Sequence, residues 1–386
     1  MIRAYRNPLP QTYRSFRPLP ELPLWDKMEA RRRLLSFDLE ITARCNNDCR
    51  HCYINLRADD RSVAGRELAV PEIDRLAGEA VSLGAVWCLV TGGEPLLRED
   101  FPEIYVRLKK KGLLVSVFTN ACLVRDEHIA LFRKYPPRDV EVTVYGATAG
   151  TYERVTRKRG SFRAFRRGLD RLLDGGVPVR FKAMAMRSNA AELPRIAAFC
   201  RARTKDYFRF DTQLHMRFDG NKTRNAEIRA ERLSSARIVA LERADADHFR
   251  ALEKKCGALA RPSPSPGGAA RRPLLYCGAG MGSGSIGWDG TFRLCSSLWH
   301  PDCVFDARRG SLVEAWRDFV PRVRSMRSLS RPLAGECGAC TLIDLCLWCP
   351  AHAHLETGRL DGKIEAFCRA ARARARAVQA EAGSRR

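Results

Sequence analysis

The stretch "LLSFDLEITARCNNDCRHC", residues 34–52, joins an apolar, strand-like run to three closely spaced thiols. The run at 34–42 predicts a β-strand, and Cys45, Cys49 and Cys52 follow it directly. In a parallel sheet, functional groups gather on the loops that leave the carboxyl ends of the strands. The three thiols therefore occupy a functional position in the predicted fold.

Strand-like and helix-like segments alternate from this stretch onward. Further strands are predicted at "VWCLVTGG", "LLVSVFTN", "VEVTVYG", "VPVRFKAMAM" and "YFRFDTQL". Amphipathic helices are predicted near 73–81, 101–111, 126–133, 161–174 and 191–203. Six strand–helix units in series require crossover connections, so we expect a parallel sheet. The predicted class is α/β, a partial (β/α)6 TIM-like barrel followed by a cysteine-rich module.

Composition divides the chain into five predicted segments. The stretch "RPSPSPGGAARRP" reads as a linker, because proline and glycine sustain neither a helix nor a central strand. The segments are an N-terminal extension at 1–33, the barrel at 34–220, a helical bridge with this linker at 221–273, the cysteine-rich module at 274–370 and a basic tail at 371–386.

Composition also indicates the cellular compartment of the protein and the kinds of partner that it binds. No run of 18 apolar residues occurs and the first residues lack a signal-peptide core, so we expect a cytoplasmic protein. Fifteen cysteines in a reducing compartment indicate metal or redox chemistry rather than disulfides. The formal charge of +24 invites a nucleic-acid interpretation. The basic residues are scattered, however, which favours a solvated surface.

Three thiolates form an incomplete ligand set for a four-iron, four-sulfur cluster. Such a cluster takes one ligand per iron, so the fourth iron would stay open for a substrate or cofactor. A zinc site completed by His51 and a set of ordinary buried thiols are the alternatives that the spacing leaves open.

The next predicted strand ends in "VTGGEP". Gly92 and Gly93 allow a close approach of the backbone to a ligand, and Glu94 offers an acceptor for an ammonium group. A Gly-Gly-Glu sequence by itself more often forms a turn. Here it lies one strand away from the three-cysteine loop, on the same face of the sheet.

The C-terminal part carries a second set of thiols. Cys277 and Cys295 flank two short strands joined by an Asp-Gly turn, which predicts a hairpin that brings them together. The segment "CGACTLIDLCLWC" then supplies two Cys-x-x-Cys pairs, and Cys368 follows on a helix. Ribbon-type zinc sites space such pairs by 15 to 20 residues, so the tight spacing here favours iron–sulfur clusters.

Taken together, these motifs resemble the radical S-adenosylmethionine (radical SAM) enzymes. The family's three-cysteine motif appears as Cys45, Cys49, His51 and Cys52, and its Gly-Gly-Glu motif as residues 92–94. The resemblance implies a [4Fe-4S] cluster on the three cysteines and S-adenosyl-L-methionine chelated to the open iron. His51 and the Gly-Gly-Glu strand would then contact the cofactor. It also implies reductive cleavage to a 5'-deoxyadenosyl radical that abstracts hydrogen from a substrate.

The same resemblance suggests further cofactor contacts. Thr119 and Thr143 stand where relatives place hydroxyl residues near the cofactor's ribose or carboxylate. One of Arg154, Arg157 and Arg159 would suit that carboxylate, although exposed helix arginines explain them as well.

The cysteine-rich module resembles the SPASM extension, which binds two auxiliary four-iron clusters. The family pattern implies Cys277, Cys295 and Cys349 for the first cluster. The second would be held by Cys337, Cys340, Cys346 and Cys368. The pair Cys346 and Cys349 encloses two residues where the family commonly has three. The fourth ligand of the first cluster is Cys256, Cys303 or an open position. Cys88, Cys122 and Cys200 are expected to be ordinary buried thiols. His300, His352 and His354 are expected to be structural or surface residues rather than ligands.

SPASM-bearing relatives imply a ribosomally made peptide or protein as substrate. The partners implied are an electron donor such as flavodoxin or ferredoxin and a separate leader-peptide recognition protein, because 33 residues before the first strand are too few for a recognition domain. Formylglycine formation is disfavoured, since Ser296 stands where such relatives carry an aspartate base. A radical enzyme acting on RNA or a small molecule and a non-enzymatic metal-binding protein are the alternatives. The sequence designates no catalytic residue beyond the cofactor site.

Overall fold

A computed structural model of the chain describes residues 33–204, 208–259, 273–275, 277–328, 337 and 340–384. Six parallel strands form the body of the fold, in the order β1 to β6. They are β1 (Ser36–Thr42), β2 (Trp87–Gly92), β3 (Leu114–Thr119), β4 (Asp139–Thr143), β5 (Val179–Met184) and β6 (Arg209–Asp211).

Helices connect successive strands as the crossover pattern requires. They are α1 (Val70–Ser82), α2 (Phe101–Lys110), α3 (Asp126–Lys134), α4 (Ala149–Thr156), α5 (Ser161–Asp174) and α6 (Leu193–Arg201). Each of these except α4 lies where an amphipathic helix was predicted. The helix α4 was missed because its eight residues give a short apolar pattern.

The first strand shows how the barrel separates its two faces. Phe37, Leu39 and Ile41 are at most 1% exposed and belong to the main hydrophobic core. The alternate residues Asp38 and Glu40 project from the opposite face, and Asp38 lines the central cavity. Polar side chains on one face of a core strand therefore mark the barrel interior.

Three helices follow the barrel, α7 (Lys222–Glu231), α8 (Ser235–Ala244) and α9 (Ala246–Leu259). They occupy the segment that was predicted as a helical bridge. The Pro/Gly linker lies almost wholly outside the described residues, as does the N-terminal extension.

The C-terminal module adds three strands to the same sheet. They are β7 (Ser283–Ile286), β8 (Thr291–Arg293) and β9 (Phe305–Asp306), and β7 and β8 form the predicted hairpin. Strand β7 pairs in parallel with β1, so that Ser36 lies opposite Ser283. The barrel and the module thus share one nine-stranded sheet, which the sequence did not predict.

Helical segments complete the module. A run of Leu312–Glu314, the π-turn Ala315–Phe319 and Val320–Arg324 precedes α10 (Ile343–Cys346), α11 (Pro350–Thr357) and α12 (Glu365–Ser384). The stretch expected as a separate basic tail continues α12, which packs against α8 and α10. No helix among the described residues has the length and apolar character needed to cross a membrane.

Candidate functional site

A cavity of about 710 Å³ opens at the centre of the fold. Its wall includes all three cysteines of the loop after β1, and Gly92 and Gly93 at the end of β2. Residues of the C-terminal module, among them Ser296 and Leu347, close another part of the wall. One cavity therefore joins the two sequence motifs to the cysteine-rich module.

The three-cysteine loop is held by backbone hydrogen bonds to the end of α4. The amide of Asp48 donates to the carbonyl of Thr156 at 2.9 Å, and that of Arg50 donates to Val155 at 3.1 Å. Within the loop, Cys52 N–H donates to the carbonyl of Cys49 at 3.1 Å. These bonds fix the loop against the barrel, so the thiols lie at a defined place in the cavity wall.

Amide and hydroxyl donors face the loop sulfurs. The backbone N–H of Asn47 donates to Cys45 Sγ at 3.5 Å, and that of Asn55 donates to Cys52 Sγ at 3.3 Å. Burial raises the pKa of Cys45 and Cys49 well above the usual thiol range, and neighbouring cysteines raise it further, while the Tyr145 hydroxyl bonded to Cys49 opposes this. Cys49 is buried, and Cys45 and Cys52 are partly buried. Thiolates in such surroundings require a positive partner, and an iron–sulfur cluster provides one. The donor set fits such a cluster.

The two glycines of the Gly-Gly-Glu motif are required by the backbone of β1 and its loop. A Cβ on Gly92 would lie 2.1 Å from the carbonyl oxygen of Thr42, and one on Gly93 would lie 2.3 Å from that of Arg44. Gly92 also has φ 134°, which other residues rarely adopt. The glycines thus allow the end of β2 to pack against the chain that enters the cysteine loop, while both still line the cavity.

Glu94 is fully buried and has a different environment from the expected one. Its Oε1 accepts from Thr119 Oγ1 at 2.7 Å and from Leu96 N–H at 3.1 Å, and its Oε2 accepts from Asn120 N–H at 2.8 Å. Burial raises its pKa to about 7, against the effect of these bonds. The carboxylate does not line the cavity. Both the expected acceptor role of Glu94 for an ammonium group and cofactor binding by this motif stay predictions.

The other expected cofactor residues differ in position. Thr119, Thr143 and His51 line the cavity, and burial lowers the pKa of His51 to about 4, so its imidazole is neutral. His51 Nδ1 is buried without a hydrogen-bond partner among the described residues, and its ring lies 5.4 Å from that of Tyr145.

None of the three candidate arginines lines this cavity. Arg157 forms ion pairs with Glu227 and Asp48, and Arg154 donates to Thr151 Oγ1 at 2.9 Å. Arg159 is not among the residues that line the cavity either. The geometry gives these residues no contact with a ligand in this cavity.

Sequence reasoning missed the polar residues on the inward face of the strands. Lys182 on β5 lines the cavity and forms an ion pair with Glu141 at 2.8 Å, and its ammonium lies 3.4 Å from the centre of the Phe118 ring. His215, beyond β6, lines the cavity and shares a 3.1 Å hydrogen bond with Ser297 of the module. The sequence could have indicated Lys182 and His215, because both are polar residues within or just after predicted barrel strands.

The auxiliary cysteines fall into two neighbourhoods. The thiol of Cys349 is close enough to Cys295 and Cys277 for their charges to raise its pKa, after the larger effect of burial. Cys346 is affected in the same way by Cys368 and Cys337. Cys340 is exposed. The described His, Cys, Asp and Glu side chains form no group of three that would hold a single metal ion, and both ligand sets stay predictions.

The spare cysteines and histidines were also located. Cys88, Cys200 and Cys303 are buried, and Cys303 Sγ contacts Met326 Sδ at 3.8 Å. Cys122 lies beside the cysteine loop, where it accepts a 3.9 Å hydrogen bond from Asn47. The side chain of Cys256 lies outside the described ones. The rings pair as His215 with His352 and His300 with His354, at 4.0 and 4.8 Å.

Residues 39–200 match the family model described as the radical SAM superfamily, and this part of the chain belongs to that superfamily. This matched part is that of a radical SAM enzyme, and S-adenosyl-L-methionine and a [4Fe-4S] cluster are the cofactors of the superfamily. The match includes the three-cysteine loop and the Gly-Gly-Glu strand.

Two curated relatives differ in what they share with the chain. The Fe-coproporphyrin III synthase of Methanosarcina barkeri is 24% identical over 79% of this chain and 80% of its own length. A probable GTP 3',8-cyclase of Methanococcus maripaludis is 27% identical over 44% of this chain, which spans 56% of that relative. The second likeness is thus confined to part of both proteins.

The fold is also shared with solved structures. The Streptococcus suis protein SuiB, bound to its precursor peptide SuiA, superimposes with a TM-score of 0.67 at 15% identity. The match covers 89% of this chain and 78% of SuiB. The coverage extends through the C-terminal module, and it confirms the predicted α/β barrel with a SPASM-type extension.

Proposed function

We propose that this enzyme modifies a ribosomally made peptide or protein, with two auxiliary clusters in the C-terminal module. The observation that carries the proposal is the shared cavity, which is bounded by the cysteine loop, the Gly-Gly strand end and the module. A substrate that enters it would lie between the cofactor and the auxiliary cysteines. SuiB, whose fold matches this chain, binds a precursor peptide in its solved structure.

The size of the cavity supports a side chain as the reacting group. Sites for drug-sized ligands usually have volumes of about 300–1,000 Å³. The cavity of about 710 Å³ would also have to hold the cluster on its lining cysteines, so one cofactor molecule beside it leaves space for a group of side-chain size. A peptide satisfies this requirement because only the residue to be modified must enter.

Within this proposal, each described residue has a defined task. Cys45, Cys49 and Cys52 would hold the cluster, and the backbone at Gly92 and Gly93 would accept from the amino group of the cofactor. When bound there, the cofactor and the cluster would supply a 5'-deoxyadenosyl radical by reductive cleavage.

The test uses anaerobically reconstituted protein, reduced chemically and supplied with S-adenosylmethionine. We expect 5'-deoxyadenosine, and none from a variant with Cys45, Cys49 and Cys52 changed to Ala. Co-expression with peptides encoded beside the gene, followed by mass measurement, then tests the substrate class. An unmodified mass for every such peptide, with cleavage intact, would refute the peptide assignment alone.

A small-molecule substrate is the second candidate. It is favoured by the likeness to the Fe-coproporphyrin III synthase, which covers 80% of that relative. The cavity volume favours the peptide instead, since a tetrapyrrole would have to share this space with the cofactor. Incubation of the reduced enzyme with iron tetrapyrrole precursors separates the two, because formation of Fe-coproporphyrin III, the compound for which that relative is named, would support the second candidate.

A further inference from the structure

Asn120 connects the end of β3 to both motifs of the site. Its backbone N–H donates to Glu94 Oε2 at 2.8 Å, next to the bond from Thr119. Its side-chain Nδ2 donates to Asn46 Oδ1 at 2.8 Å and approaches Cys45 Sγ at 3.8 Å. Asn120 is 7% exposed and lines the cavity. It therefore joins the Gly-Gly-Glu strand to the first cysteine of the loop.

The contact made by Asn120 Oδ1 determines the orientation of the side-chain amide. The backbone N–H of Cys122 donates to Asn120 Oδ1 at 2.9 Å, which closes a local turn. If the amide were reversed, its oxygen would face the oxygen of Asn46 and its NH₂ group would face the N–H of Cys122. The contact with the Cys122 backbone N–H would then be repulsive in every case, so the network assigns the N–H groups of Asn120 to Asn46 and Cys45.

A side-chain donor at this position acts on the sulfur that it faces. A hydrogen bond to a cysteine ligand draws negative charge away from the metal centre and stabilises its reduced state. The backbone donor from Asn47 reaches the same sulfur at 3.5 Å, but only a proline would remove it, and proline would also restrict the backbone of the loop. Asn120 is therefore the part of this environment that mutation can test.

We propose that Asn120 is a positioning residue for the cluster of the cysteine loop. It holds Cys45 in place through Asn46, and it raises the reduction potential by donating to Cys45 Sγ. The inference rests on the proposed role of the loop as cluster ligand. It assigns to Asn120 a function separate from direct contact with the cofactor.

The test compares Asn120→Asp and Asn120→Ala with a control, His128→Ala. His128 is 4% exposed in α3, and its Nδ1 accepts from Arg125 N–H at 3.0 Å, so its loss also removes a buried polar contact of the barrel. Potentials are measured by titration followed by electron paramagnetic resonance without S-adenosylmethionine. A separate sample with added S-adenosylmethionine identifies the signal of this cluster, because only the cluster that binds the cofactor should change its spectrum. Iron content and cofactor affinity are measured on the same samples.

We expect both Asn120 variants to shift the potential to more negative values, with Asn120→Asp shifted further because its carboxylate adds negative charge. The control should leave the potential unchanged. Loss of the cofactor-sensitive signal from both Asn120 variants, but not from the control, would also support the positioning role. An unchanged potential in both variants overturns the proposal, as does weaker cofactor binding at unchanged potential. Absence of the signal in the unmodified protein would instead refute the proposed function.

Discussion

Glu40 on β1 and Arg293 on β8 form an ion pair of 2.7 Å, and both side chains are fully buried. The Arg293 guanidinium also lies 3.4 Å from the centre of the Trp299 ring. Glu40 precedes the cysteine loop on its strand, and Arg293 lies two residues before Cys295. The pair therefore connects the segment that carries the first set of thiols to the hairpin of the second module.

Replacing Arg293 by Met should destabilise the protein by about 3–5 kcal/mol, because it leaves the Glu40 charge buried without its partner. The measurement is the free energy of unfolding in denaturant. The double variant Glu40→Leu with Arg293→Met should recover most of the loss, since it removes both charges. A double variant no more stable than Arg293→Met alone would show that packing, rather than charge pairing, is lost.

The iron content should reflect the two separate groups of cysteines. We expect about twelve irons per reconstituted chain, from three four-iron clusters, and about eight after Cys45, Cys49 and Cys52 are changed together to Ala. Iron and zinc are measured by elemental analysis. Stoichiometric zinc, or about four irons in the unmodified protein, would contradict this.

Two substitutions of Glu94 distinguish a direct contact from a structural one. Glu94→Ala should weaken S-adenosylmethionine binding roughly tenfold, because three buried donors lose their acceptor and the strand end shifts. Glu94→Gln keeps the shape and one acceptor oxygen, so its affinity should fall only about threefold. Equal losses in both variants, measured by equilibrium binding, would indicate that the carboxylate itself contacts the amino group.

The second auxiliary site should be needed for turnover but not for cofactor cleavage. Changing the exposed Cys340 to Ala should abolish product while 5'-deoxyadenosine still forms, because the chelating loop and the Gly-Gly strand belong to the barrel. Circular dichroism provides the control for folding, since cluster binding can stabilise the module. If a folded variant lacks this cluster and still converts substrate at the normal rate, the role of the second auxiliary cluster is structural only.

Asp38 provides a prediction on pH. Burial, followed by the charge of Glu40, raises its pKa from 3.8 to about 6, while Arg293 and Lys182 oppose this. An acid whose pKa rises on folding destabilises the fold as pH increases through that window. Asp38→Asn should therefore stabilise the protein by about 1–3 kcal/mol at pH 8 and hardly at all near pH 4. Thermal unfolding at the two pH values checks this, and an equal gain at both would contradict it.

The sequence predicted the barrel because each strand and helix has its own periodicity. It also located the three thiols and the two glycines beside one cavity, since parallel strands end at the same edge. The contacts of Glu94 were not predictable, because Leu96, Thr119 and Asn120 meet it only after β2 and β3 pair. The pairing of β7 with β1 was missed for a related reason, as its partner lies on the far side of a linker.

That pairing has a consequence for how the chain is made. Ser36 reaches its partner Ser283 only after the ribosome has completed the whole barrel. At about 5–20 residues per second, the outer edge of β1 stays open for roughly 12–50 seconds. An unpaired strand edge is a site for association with other chains. Expression fragments that end before β7 should therefore aggregate, and the full chain should depend on chaperones during its synthesis.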